Sequence, residues 1–105
     1  MEWAPELFIV WGRALARDGR VQEAEAQIRR ALDASRSQGA KYWELRAATL
    51  MARLWRDSGR ISEAEELLRP IVDWFTEGSD TAPLVEAKAL LWDLNHSTST
   101  DTTGQ

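Results

Sequence analysis

The chain has 105 residues and a mass of 11.9 kDa, enough for one domain. Its 17 acidic residues against 13 basic ones leave a net charge of −4 and a pI near 5.0. That balance argues against a nucleic-acid binder that works through a global positive field. There is no cysteine, hence no disulfide framework and no thiolate zinc site, and a single histidine, His96, removes the ordinary Ser-His and Cys-His catalytic pairs. No apolar run approaches the roughly 18–20 residues of a membrane span, and the N-terminus lacks a charged-then-apolar signal segment. The expectation is a cytoplasmic protein with no membrane partner, no metal and no cofactor.

Composition points to helix. Fifteen alanines, 11 arginines (against 2 lysines) and 10 glutamates fill the blocks between the glycines. β-branched residues are sparse before the tail, which disfavours sheet. The first predicted helix covers about 5–17, with Pro5 in its first turn. The second covers about 22–36 and stops before Gly39. The third covers about 41–57 and stops before Gly59. It is apolar over more than half its circumference (Trp43, Leu45, Ala47, Ala48, Leu50, Met51, Ala52, Leu54, Trp55), so it needs neighbours on more than one side.

The fourth helix covers about 62–76, with Ser62 and Glu65 spaced as a capping box. One face carries Ala64, Leu67, Leu68, Ile71, Val72, Trp74 and Phe75, with Glu65, Glu66, Arg69 and Asp73 opposite. Pro70 inside it removes one backbone hydrogen bond and should bend it. The fifth covers about 82–95, with Asp80 and Thr81 as cap candidates and Pro83 in its first turn. Its core face is Leu84, Ala87, Leu90, Leu91 and Leu94. Residues 96–105 are polar and low in complexity and read as a disordered tail.

The chain repeats itself. Gly19-Arg20-Val21-Gln22-Glu23-Ala24-Glu25 returns as Gly59-Arg60-Ile61-Ser62-Glu63-Ala64-Glu65, at an offset of 40. The same offset aligns Arg13 with Arg53, Ile28 with Leu68, Arg29 with Arg69, Leu32 with Val72 and Asp33 with Asp73. Each unit reads as helix, tight turn, helix. The expected fold over residues 1–95 is therefore all-α: a solenoid of two stacked helical hairpins plus a capping helix, the first helix of each pair inside.

Phe8, Trp11, Gly12, Leu15, Gly19, Val21, Ala24, Ile28, Ala31 and Leu32 follow the spacing of a tetratricopeptide repeat, which the first unit resembles. The second keeps Met51, Ala52, Trp55, Gly59, Ile61, Ala64, Leu68 and Ile71. The period departs from that pattern, 40 residues instead of about 34, and the proline after the second helix is missing.

The stretches Gly39–Thr49, Ala52–Asp57, Trp74–Gly78 with Asp80-Thr81, and Glu86–Leu91 look like one group more closely. That group is the C-terminal helical-repeat region of large bacterial regulators, which carry an adenylate/guanylate cyclase or DNA-binding domain and a signalling ATPase domain before such repeats. The resemblance implies a regulatory interaction module. It carries over neither activity, since no cyclase domain and no phosphate loop is present. Three positions depart from that group: Ile9 and Trp11 stand where polar residues are usual, and Trp92 where an acidic one is.

In this family the inner-helix face lines a concave side. Here that face holds Glu6, Ile9, Arg13, Ala16 and Arg17, then Arg46, Thr49, Arg53, Arg56 and Asp57. Arg13, Arg17, Arg46, Thr49, Arg53 and Arg56 form the candidate peptide-binding stripe. Like charges at helical spacing repel by a few tenths of a kcal/mol per pair, and an acidic peptide would relieve this through forked contacts. The plainer alternative pairs these arginines with Glu6, Glu44 and Asp57, or leaves them solvated.

Trp43, Trp55 and Trp74 sit on apolar faces and read as core; Trp11 lies at the edge of an apolar arc. Trp92 lies opposite the core face of its helix and could face a partner or the groove. Glu23, Glu25, Glu63, Glu65 and Glu66 fall on outer faces beside arginines and read as solvated. His96 with Asp93 is too few ligands for a metal site.

The leading functional expectation is a non-catalytic protein–protein interaction module. The alternative is a structural self-association unit, a homodimer with Ile9, Trp11 or Trp92 in the contact. A ligand sensor built on the tryptophans has only their number in its favour, and an enzyme has least.

Overall fold

The computed structural model describes residues 4–75 and 82–103, with side chains through residue 96. These residues form five α-helices and no strand: α1 Pro5–Arg17, α2 Val21–Gln38, α3 Lys41–Asp57, α4 Ile61–Trp74 and α5 Ala82–Thr103. Among them no helix is long and apolar enough to cross a membrane. The last helix runs beyond residue 95, where the apolar pattern stops. The cap candidates Asp80 and Thr81 lie outside the described residues.

The repeat is visible in the backbone bonding. At the end of α1 the Gly19 N–H donates to the Ala16 carbonyl at 3.1 Å and the Arg20 N–H to Leu15 at 2.9 Å. At the end of α3, Gly59 donates to Arg56 at 3.0 Å and Arg60 to Trp55 at 2.7 Å. This pair of bonds closes a helix only when the residue after the cap is left-handed. Gly19 and Gly59 supply that, with φ of 81° and 85°. The turn residue after each glycine leads directly into the next helix. That geometry corrects the expected capping box: Arg60 occupies the cap position of α4, no side chain caps it, and Ser62 already lies inside the first turn.

Each helix packs on the next in chain order; α1 also touches α3, and α3 touches α5. α3 is thus surrounded by the other four, which is why Ala47, Ala48, Met51 and Ala52 are fully buried. Small residues let the helices approach closely. A Cβ at Gly12 would stand 2.6 Å from Cγ1 of Ile28, so α1 and α2 cross where no larger side chain fits. Ala24, Ile28, Ala31, Leu45, Ala64, Leu68, Leu84, Ala87 and Leu94 belong to the same core.

On α4 the face Ala64, Leu68, Ile71 and Val72 is buried, with Leu67 and Phe75 partly so, and Pro70 lies on the exposed side. Trp74 does not belong to this core. It is 59% exposed in the last residue of α4, with the Lys41 ammonium 5.2 Å from its ring centroid. Trp43 is half-buried, and Trp55 is buried as expected.

Candidate binding trough on α1, α3 and α5

The three odd-numbered helices share one face. Ile9 and Arg13 of α1, Arg46, Thr49, Leu50 and Arg53 of α3, and Pro83 and Glu86 of α5 line a cavity of about 270 Å³. Helical spacing creates it: residues three, four and seven apart stand on one stripe, and neighbouring helices lay their stripes side by side. A second groove of about 370 Å³ adjoins it between α3 and α5, sharing Arg53 and Glu86 and adding Arg56, Ala89, Leu90, Trp92 and Asp93.

The cations differ in how they are satisfied. Arg53 Nη2 donates to Glu86 Oε2 at 3.0 Å. Arg56 Nη1 donates to Asp93 Oδ2 at 2.9 Å, and its Nε lies 3.4 Å from Asp57 Oδ1. Arg13 makes no ion pair among the described residues, and neither does Arg46, whose guanidinium lies 5.5 Å from the Trp43 ring centroid and 5.9 Å from that of Tyr42. Thr49 is buried and donates its hydroxyl to the Leu45 carbonyl at 2.8 Å, so its polar group is spent within α3. Arg17 is exposed at the end of α1 and does not line the trough.

Of the counter-ions read from the sequence, only Asp57 meets the stripe. Glu44 is buried against Arg36 at 3.0 Å and Lys41 at 3.4 Å. The main partners, Glu86 and Asp93, went unassigned. Their seven-residue spacing on α5 is the signal that places both on one face toward α3.

The candidate contact residues divide. Ile9 is 3% exposed and closes the floor of the trough from inside the core, so it is no outer contact. Trp11 and Trp92 are 50% and 63% exposed. Trp92 stacks on His96 with centroids 3.6 Å apart, and His96 Nδ1 lies 2.8 Å from the Trp92 carbonyl oxygen. Among the described residues no three metal-ligating side chains converge.

The outer glutamates hold the scaffold. Glu25 accepts from Arg29 at 3.0 Å, and its repeat equivalent Glu65 accepts from Arg69 at 2.6 Å. Arg60 donates to Glu63 at 2.7 Å and to Glu25 at 3.3 Å, and its guanidinium sits 4.6 Å from the centroid of Trp55. The hydrogen bond from Arg60 lowers the pKa of the Glu63 carboxyl, and the same bond raises that of Arg60. Compared with known proteins, the chain matches no family model, no curated protein and no solved structure.

Proposed function

We propose that the chain is a non-catalytic interaction module of tetratricopeptide type, its helical hairpins stacked so that α1, α3 and α5 present a binding surface to an acidic peptide segment or neighbouring domain. The observation that carries this is the pair Arg13 and Arg46: two guanidinium groups lining one cavity, neither with an ion-pair partner among the described residues. Arg53 is half-exposed and bound to an exposed Glu86, a pair that exchanges for a ligand carboxylate at little cost. The lining residues otherwise offer paired carboxylates and apolar groups, which suits recognition better than proton transfer. The resemblance to the repeat regions of bacterial signalling regulators favours a regulatory setting for this binding.

A labelled hexaglutamate peptide tests the reading by fluorescence anisotropy, with hexalysine as the control. Hexaglutamate should bind, and the Arg46→Glu/Arg53→Glu variant should lose that binding while keeping its helical circular dichroism. Equal binding by wild type and variant would end the proposal.

A further inference from the structure

The outer side of α1 is apolar and exposed. Leu7, Val10 and Trp11 are 41%, 55% and 50% exposed, and Ala14 continues the same stripe at helical spacing. One flank of that stripe is charged, with Glu6 near the N-terminal end of α1 and Arg13 and Arg17 near the C-terminal end. The charge is therefore unequal along the helix, and that asymmetry selects the partner. A second α1 laid antiparallel, on a twofold axis midway between Val10 and Trp11, brings Leu7 level with Ala14 of the second copy and Val10 level with Trp11. Leu7 then meets the smaller Ala14 in the outer layers, while at the centre Val10 lies beside Val10 and Trp11 beside Trp11 of the second copy. The same operation places Glu6 level with the gap between Arg13 and Arg17 of the second copy, about 3 Å along the axis from each at about 1.5 Å rise per residue. A twofold axis in the contact plane keeps the charged flanks on the same side, so each glutamate faces two arginines in both halves of the interface. A twofold parallel pairing would put the two charged flanks on opposite sides of the contact, where no glutamate faces an arginine.

We infer that α1 is a self-recognition surface: two copies of this chain associate through an antiparallel α1–α1 contact centred on Val10 and Trp11, with Glu6 of each copy between Arg13 and Arg17 of the other. This contact shares Arg13 with the trough, but Arg46 and Arg53 of α3, the residues that test peptide binding, take no part in it.

Charge exchange and sedimentation velocity test it. The wild-type chain should sediment as a dimer at tens of micromolar, and Trp11→Glu as a monomer. Glu6→Arg alone should weaken the dimer at least tenfold, and so should Arg13→Glu/Arg17→Glu alone. Mixed together, these two variants should form a heterodimer, because each then carries the charges that the other lacks. All of these side chains are exposed, so circular dichroism should stay helical throughout. The chain has no cysteine, so Val10→Cys gives a clean second readout. It should oxidise to a disulfide-linked dimer, while Leu7→Cys should cross-link only when mixed with Ala14→Cys. A wild-type monomer at these concentrations, a dimer indifferent to the charge changes, or cross-linking through Val85→Cys on α5 in place of Val10→Cys would overturn the inference.

Discussion

Arg60 shows how one side chain can hold several parts of the molecule. It sits at the start of α4, reaches Glu25 on α2, binds Glu63 on its own helix and covers the Trp55 ring of α3. Trp55 beneath it is 9% exposed, and its indole N–H meets no acceptor among the described residues. Trp55→Ala should therefore cost about 3–5 kcal/mol in urea unfolding, the range for large aromatic truncations in a core. Trp55→Phe should cost less, since no hydrogen bond is lost; an equal cost for the two would contradict this packing. The Arg60–Glu63 bond also has a pH signature. Glu63 is lowered from its ordinary 4.5, so its contribution is fully present above that value and drains away as the pH falls through the lowered one. The stability gap between wild type and Glu63→Gln should be flat near neutrality and close in acid. A gap that persists unchanged as the carboxyl is titrated in acid would show that the ionised carboxylate is not what stabilises the fold.

At the scale of elements, the turns and the close crossings are the sensitive points. Gly59→Ala puts a Cβ on a left-handed residue and should cost about 1–2 kcal/mol, although there is open space around it. Gly12→Ala fails for the other reason, contact with Ile28, and should cost about 1–3 kcal/mol through overpacking. Thermal unfolding in a double-mutant cycle, in which Ile28→Ala removes the clashing Cγ1 and should offset part of the cost of Gly12→Ala but none of that of Gly59→Ala, separates strain in the backbone from crowding between helices. The existence and order of the five helices were legible because apolar periodicity and turn glycines agree along the chain. Helix starts were less so: Ser62 and Glu65 have capping spacing, but the glycine turn leads into α4 before Ser62 can cap it. Trp74 misled for a related reason. It lies near the apolar stripe of α4, yet as the last helical residue it is left largely in solvent. Ile9 misled in the opposite sense, because spacing on α1 alone does not reveal that it is buried beside the α3 residues of the trough.

At the scale of the molecule, the trough exists only because three helices distant in sequence lay their stripes together, which is why its arginines could be read from helical spacing and its counter-ions could not. Arg13, Arg46, Arg53 and Arg56 come from separate turns of α1 and α3, whereas Glu86 reaches Arg53 and Asp93 reaches Arg56 from α5 through tertiary packing. An acidic ligand held this way should weaken with added salt, since exposed charges are screened over about 8–10 Å at physiological ionic strength. The most direct test is a titration of the isotopically labelled chain with hexaglutamate, followed by nuclear magnetic resonance. The account predicts that amide and guanidinium shifts concentrate on Arg13, Arg46, Leu50, Arg53 and Glu86, and disappear in the Arg46→Glu/Arg53→Glu variant. Shifts confined to the outer faces of α2 and α4, or none at all at millimolar peptide, would contradict it.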